Sequence, residues 1–436
     1  MKIKIKKNHI VYNFILIFWL LQIMCFTWLN VTKYTNLILI VVMLGVLVLS
    51  RKIANNIGMV VGCLIMLYAV LNYFWCGGST TVWISNILKI FPQLLVVLMG
   101  THLMKYKADY LLEVFKNKIL FWTINIYMVL NIPAILLEQR GAFWLSGRTN
   151  AVNTFVPDLM SGLFGFNGTP YLALFSAFFF LYSYFYYKHS VLRYKKIYVA
   201  YVLTMLVFYT YISTQNDNKG FYIIFVIFIF IYYLTSVLSK KHYKSIMLQA
   251  FHVIRKFLPI MLILVFTVYF MYKYLDAFRD IVELMIVKIN EGMQYNSVVG
   301  GGERFGIIFY ALNGNVNKAV GEGIGKYYWQ QEYAFGYSHY GISDMGTFLC
   351  LGGCILVILL LIFVYVNMED VFQNFIVSIS ILIMVLFLMV YTQLFTASSA
   401  TISLMLFLML CSIQKENKKI KKCKIWSFLY NKKCGC

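Results

Sequence analysis

The sequence predicts an all-α membrane protein: a polytopic bundle of about twelve transmembrane helices carrying a large extracytoplasmic loop that is partly helical. Three observations predict it. Of the 436 residues, 61% are hydrophobic and only 12% are charged, too little polar surface for a soluble protein of this size. Apolar runs recur along the whole chain, several of them near the roughly 20 residues that a helix needs to cross a bilayer core. The basic residues between the runs are distributed unequally, as in membrane proteins whose positive loops stay inside.

The runs fall at 10–31, 36–50, 57–75, 83–103, 119–137, 170–187, 197–212, 220–238, 257–275, 343–366, 372–392 and 397–413. In lipid a backbone must satisfy its own polar groups, so runs of this length mean helices and not strands. The first follows a basic start, Met1 to Lys7, with no small-residue cleavage site after it, and reads as an uncleaved first helix. The second is short and its edges are loosely defined. Abundant Tyr and Phe suit rings at the interface and between helices.

Threading the chain with its N-terminus inside leaves seven inner segments: 1–9, 51–56, 104–118, 188–196, 239–256, 367–371 and 414–436. They hold 27 of the 38 Lys and Arg and 5 of the 16 acids. The outer segments hold 10 basic residues and 11 acids, and Lys89 lies inside an apolar run. The positive excess is therefore almost wholly cytoplasmic, and both termini are expected there. The same rule, with anionic headgroups, explains the basic tail 414–436. A net charge of +22 arranged this way is no sign of nucleic acid. Nine scattered cysteines include no C-x-x-C pair with matching ligands, so neither a zinc site nor a disulfide framework is expected.

The chain reads as a single integral membrane domain, 1–436, with two long outer segments. The first spans 138–169. The second, 276–342, is the largest non-membrane piece. In it Phe278, Ile281, Val282, Met285, Ile286 and Ile289 share one helical face, suited to lying on the membrane or the bundle. Gly300-Gly301-Gly302 then breaks the chain, and a short helix is expected over Glu303–Leu312, followed by a Gly-rich stretch. Gly321-Glu322-Gly323-Ile324-Gly325-Lys326 is one residue short of a phosphate loop and is followed by Tyr327, so a tight backbone turn is expected instead of nucleotide binding. There is no repeated half of the kind many transporters carry.

Cations on the outer side run against the topology rule. Arg148, Lys219, Arg279 and Arg304 lie near predicted membrane edges or in the long outer segments. Each suits either an interfacial cation or a cluster that grips an anionic, lipid-borne substrate, since cationic side chains bind phosphate strongly. Lys219 sits at the start of a helix, where the dipole opposes it, which suggests a bound anion or a pairing with Asp217. His339 is the one histidine predicted outside and is a candidate general base; Glu303, Glu322 and Asp344 are acidic alternatives. Asp344 could equally cap the helix it begins.

Four features together resemble the O-antigen and capsular polysaccharide polymerase (Wzy) and O-antigen ligase superfamily. These are the layout of about twelve helices with a large late outer loop; Ser146-Gly147-Arg148 followed by Gly162 to Ala173; Ser213 to Gly220, with Lys219 where the family has Arg; and the order Arg304, Gly321-x-Gly-x-Gly325, His339, Gly352-Gly353. The resemblance implies a metal-independent, cofactor-free glycosyltransferase that joins oligosaccharide repeat units carried on undecaprenyl diphosphate, at the outer face of the plasma membrane. Its products would be capsule, O-antigen or exopolysaccharide.

Under that resemblance Arg148, Lys219, Arg304 and Arg279 neutralise the departing diphosphate, and His339, Glu303 or Asp344 takes the proton of the attacking hydroxyl. The implied partners are the lipid-linked oligosaccharide, membrane lipid, and a chain-length regulator and flippase of the same pathway. Two alternatives stay open. A flippase for the same substrate would have short loops and its cations in a central cavity. A ligase has a His-Asn or His-Ser pair at a fixed distance before a glycine; here His339 is followed by Tyr340, and the glycines lie further on.

Overall fold

The computed structural model describes residues 10–29, 31–49, 57–142, 160–165, 168–190, 194–215, 220–238, 246–276, 278–280, 282–283, 286–287, 303–326 and 343–431. Among them it is helical, with no strand and one isolated bridge, Gly78 to Gly325. Among the described residues each of the twelve apolar runs lies mostly on a helix. In chain order these are α1 Ile10–Leu21 with a π-helical extension Gln22–Phe26, α2 Thr32–Leu49, α3 Ile57–Cys76, α4 Thr80–Tyr106, the short α5 Ala108–Phe115, α6 Lys118–Gln139, α7 Thr169–His189, α8 Lys195–Gln215, α9 Gly220–Leu238, α10 Ile246–Tyr274, the short α11 Glu303–Tyr310, α12 Asp344–Phe372, α13 Phe375–Tyr391 and α14 Ser398–Asn431. Six of them, α3, α4, α6, α8, α9 and α12, are long and apolar enough to cross a membrane, and Ile10–Phe26, Tyr34–Leu47, Phe375–Tyr391 and Ser398–Gln414 form shorter apolar helices. The chain is thus a helical, multi-pass membrane protein by the length and composition of its helices.

Burial sorts the helices into a centre and a rim. The stretches 93–104 of α4 and 398–414 of α14 are buried on every face, as is most of α7. A helix apolar all round belongs in the middle of a bundle. Aromatic rings fill the gaps between these helices: Phe228 of α9 stacks on Phe407 of α14 at 3.9 Å, and Phe121 of α6 on Tyr186 of α7 at 3.9 Å. Helices α8 and α10 form part of the rim and leave long apolar side chains such as Leu203, Val207, Leu262 and Phe266 exposed, the faces expected to meet lipid tails.

Local chemistry sets several boundaries. Asn117 and Asn374 cap α6 and α13 by accepting from Ile119 and Val377. At α12 the cap is Ser343, whose hydroxyl accepts from Gly346; Asp344, a candidate for that role by sequence, is occupied elsewhere. Three elements depart from the expected layout. Helix α10 begins at Ile246, eleven residues before the apolar run, because the preceding segment continues the helix. The basic tail is helical to Asn431. Within the inner segment 104–118 lies α5, which buries Tyr110, Leu111 and Phe115.

The largest departure concerns the second outer segment. Residues 316–326 do not lie over the bundle but enter it. Helix α12 is broken at Gly353, whose φ of +64° is left-handed. The break frees backbone groups, and the incoming turn takes them: Glu322 and Gly323 donate to the carbonyls of Cys350 and Leu351 at 2.8 and 3.1 Å, while Cys354 and Ile355 donate to Lys318 and Ala319 at 2.8 and 3.2 Å. The remaining carbonyl at the break, Gly352, accepts from the Tyr68 hydroxyl at 2.6 Å. Asn72 of α3 clamps the turn from the other side, donating to Val320 at 2.7 Å and accepting from Ile324 at 2.7 Å. Non-helical backbone at membrane depth survives only when protein satisfies it in this way. The Gly-rich stretch that resembles a phosphate loop is therefore the tight turn expected, and three of its amides, those of Glu322, Gly323 and Ile324, are spent on the bundle.

Candidate functional site

The site grows from the ends of helices that meet at one end of the bundle. Pro92 lacks the N–H that the Leu88 carbonyl would accept, so α4 is loosened just past Lys89. Gln93, fully buried there, donates to the Lys89 carbonyl at 3.2 Å and to the Ser398 hydroxyl at 3.0 Å. Ser398 donates on to Asn36 at 2.7 Å, and Asn36 also accepts from Gln22 at 3.1 Å. This chain of polar side chains ties α4, α14, α2 and the π-helical end of α1 together. Thr27 and Ser399 are hydrogen-bonded alongside it. Buried networks of this kind fix one arrangement, since breaking a link leaves a polar group without water.

Beside this network lies a partly open cavity of about 80 Å³. Asn86, Lys89 and Ile90 of α4 line it, with Thr347, Phe348 and Leu351 of α12 and with Gln393 and Thr396 from the turn between α13 and α14. Each polar group has a defined neighbour. Asn86 donates to the Ile324 carbonyl at 2.8 Å, which fastens the cavity to the inserted turn. Gln393 accepts from the Tyr171 hydroxyl at 3.0 Å through Oε1, so its amide N–H groups are not spent on that bond. Thr347 donates back to the Ser343 carbonyl at 2.8 Å. Asp344, fully buried, accepts from the Phe395 amide and from the Thr396 hydroxyl, the latter at 2.6 Å, and lies within electrostatic reach of Lys89.

The sequence-predicted site residues meet this geometry unevenly. Asp344 stands directly behind the cavity wall, where its two hydrogen bonds stitch α12 to the α13–α14 turn. Glu303 and Arg304 open α11, one turn before Ile307, and Ile307 packs against Gly346 of α12 so closely that an added Cβ there would collide with it. The helix bearing these two residues thus docks at the same end of α12 as the cavity. Gly220, which follows Lys219, packs against the ring of Tyr391, two residues before Gln393. Arg279 pairs with Asp276, three residues earlier, beyond the end of α10. Lys219, Arg148 and His339 lie outside the described residues, as does most of the first outer segment. Glu322 enters with the inserted turn, its amide bonded to Cys350.

Sequence reasoning left Lys89 inside an apolar run without a role. Its signals were a lone cation in a membrane helix, a proline three positions on, and Asn86 and Gln93 one turn to either side. Among the described residues no group of His, Cys, Asp and Glu is arranged to hold a metal ion. The groups gathered here are an ammonium, two side-chain amides and two hydroxyls already bonded to Ser343 and Asp344, in a small, partly open space beside Ile90, Phe348 and Leu351. Comparison of the chain with family models and with curated proteins finds no match.

Proposed function

We propose that this protein is a polysaccharide polymerase, joining lipid-diphosphate-linked oligosaccharide repeat units at the outer face of the plasma membrane. The observation that carries the reading is the convergence of the segments bearing the family-like motifs. The start of α11 with Arg304, the glycine turn 321–325, the Gly352-Gly353 break and the helix start after Lys219 all pack at the end of the bundle where the cavity lies. In the threading set by charge, that end faces outward.

In this reading the hydroxyl of one unit attacks the sugar carbon that bears the diphosphate on the other. The glycosidic bond forms as the carbon–oxygen bond to the diphosphate breaks, and the acceptor's proton passes to a base. Cations around the diphosphate stabilise the charge that develops on it, and a site of low water content makes them more effective. Arg148, Lys219, Arg279 and Arg304 are the proposed cations; His339, Glu303 and Asp344 are the proposed bases. The buried bonds of Asp344 to Phe395 and Thr396 give it a structural task as well and favour His339 or Glu303 for the proton.

The test is the size distribution of lipid-linked and surface glycan in a deletion strain, complemented with wild type or with Arg304→Ala. Single repeat units exposed at the surface, with no polymer, support the reading. Units trapped inside the cell would mean transport, and long lipid-linked polymer would mean ligation. Arg304→Ala, at normal protein level, is expected to abolish long chains; normal chain length would remove Arg304 from the mechanism.

A further inference from the structure

A second concentration of polar groups lies away from the cavity, where α6, α7 and α8 face one another. Aromatic rings fill this seam: Phe121 of α6 stacks on Tyr186 of α7 at 3.9 Å and lies 5.4 Å from the ring of Tyr198 on α8. Asn125 spends an amide N–H on the Phe121 carbonyl at 2.7 Å, while its buried Oδ1 meets no donor. The buried hydroxyls of Ser176, Tyr182 and Tyr201 meet no partner either. Ser176, Ser183 and Ser190 recur every seven residues and so share one face of α7. That face looks at α8, since Ser183 neighbours the hydroxyl of Tyr198. The neighbouring oxygens continue along the seam. Tyr186 stands beside Ser190 and Tyr182, Tyr198 beside Tyr201, and Tyr201 within electrostatic reach of Tyr209. The pairs Ser183 with Tyr198 and Ser190 with Tyr186 stand outside direct hydrogen-bonding geometry. Tyr209 donates to the Met128 carbonyl at 2.8 Å and neighbours Asn131, which accepts at 2.6 Å from Leu163 of the inserted turn 160–165.

A buried polar oxygen without a partner is destabilising, and in folded proteins such groups are met by bound water. A hydroxyl both donates and accepts. Hydroxyls and water together therefore pass a proton from oxygen to oxygen, each giving up one hydrogen as it takes another, with no net change in any group. We infer that the α6–α7–α8 seam is a proton path: water bound between its hydroxyls completes a hydrogen-bonded file from Ser190, at the end of α7, to Tyr209 and Asn131 beside the turn 160–165. Glu138, which accepts from Gly162 of that turn at 2.7 Å, marks the far end. Asn125 and Asn131 keep their amide hydrogens and orient the water next to them. A proton gradient drives the transfer, and no other reactant is needed. The inference does not rest on the polymerase reading.

The experiment reconstitutes the full chain into liposomes that hold a pH-sensitive dye and imposes a potassium gradient with valinomycin, so that proton entry is read as fluorescence. Wild type is expected to acidify the lumen faster than protein-free liposomes. Tyr201→Phe keeps the ring and removes only a hydroxyl that has no partner in the protein. It is expected to slow entry roughly 2–10-fold, the kinetic equivalent of one lost hydrogen bond. Tyr182→Phe should act likewise, and Thr204→Val, at an exposed position of α8, should leave the rate unchanged. If either tyrosine variant does not accumulate, Ser183→Ala takes its place. Hydration is read separately by X-ray radiolytic labelling in nanodiscs, where radicals formed from bound water oxidise the side chains beside it. Oxidation of Tyr182 and Tyr201, with the fully buried Phe407 untouched, supports the path. Unfolding temperature supplies a third reading, because a dry seam would gain stability when Tyr201→Phe removes a stranded hydroxyl, and a hydrated one would not. Entry no faster than in protein-free liposomes overturns the path. So do unoxidised Tyr182 and Tyr201, a raised unfolding temperature in Tyr201→Phe, a rate that survives the seam substitutions, or equal slowing by Thr204→Val.

Discussion

The two ends of the bundle use polar groups differently. At the cavity end, Gln22, Asn36, Asn72, Asn86, Gln93, Asp344 and Ser398 are all nine-tenths or more buried and bonded to one another, to the backbone of the inserted turn or, for Asp344, to the α13–α14 turn. At the opposite end, the ion pair of Lys105 with Asp370, at 2.5 Å, leaves the two side chains 32% and 28% exposed. Asn367 lies nearby, donating to Phe363 within its own helix and accepting from Thr101. A charge that keeps its water gains little from a partner, whereas a buried one depends on it. The cavity end is therefore where single substitutions should be felt, and the opposite end where charges should be replaceable.

Substitutions at four positions sharpen or break this contrast. The largest effect is expected from Gly353→Ala. The residue is left-handed, and a Cβ there would collide with the Ala319 carbonyl of the inserted turn. A loss of roughly 3 kcal/mol or more is expected, read as poor accumulation in membranes and a lower unfolding temperature in detergent. A wild-type unfolding temperature would refute the docking of residues 317–325 on the break.

Next comes Asp344→Ala, which strands the buried Phe395 amide and Thr396 hydroxyl and should cost about 2–4 kcal/mol. Asp344→Asn keeps a carbonyl acceptor and should cost less; equal losses in the two would mean that charge, not hydrogen bonding, is what matters. Asn72→Leu removes both bonds to the inserted turn and should cost about 1–3 kcal/mol. It should also speed tryptic cleavage after Lys318 or Lys326, which an unchanged digestion rate would contradict. The smallest effect is expected from Lys105→Ala, below about 1 kcal/mol. A larger loss there would erase the contrast between the ends.

How far these features were legible in the sequence depends on the range of the interactions behind them. The apolar runs marked where helices lie, although α10 and α14 extend well beyond their runs into basic segments, because a helix in lipid is dictated by its own backbone and side chains. The short helix from Glu303 and the tight turn at 321–325 were legible for the same reason, being written in glycines and local periodicity. The destination of that turn was not. Its insertion depends on carbonyls freed by the break at Gly353, in the next helix, and on the amides of Asn72 and Asn86, more than 200 residues away along the chain. Asp344 read as a helix cap because its neighbours in sequence suggested one; the nearby hydroxyl of Ser343 took the cap, and the turn after α13 took the carboxylate.

By itself the sequence determined that this chain is a multi-pass helical membrane protein and, through its charge asymmetry, which way it is expected to thread. Both follow from the free energy of moving side chains between water and lipid, which each segment carries independently. Only the tertiary structure decided that Lys89 faces a cavity, that α12 is broken and that the outer segment enters the bundle. Those outcomes require buried polar groups to find partners across the fold, and the partners are chosen by packing and not by position in the chain.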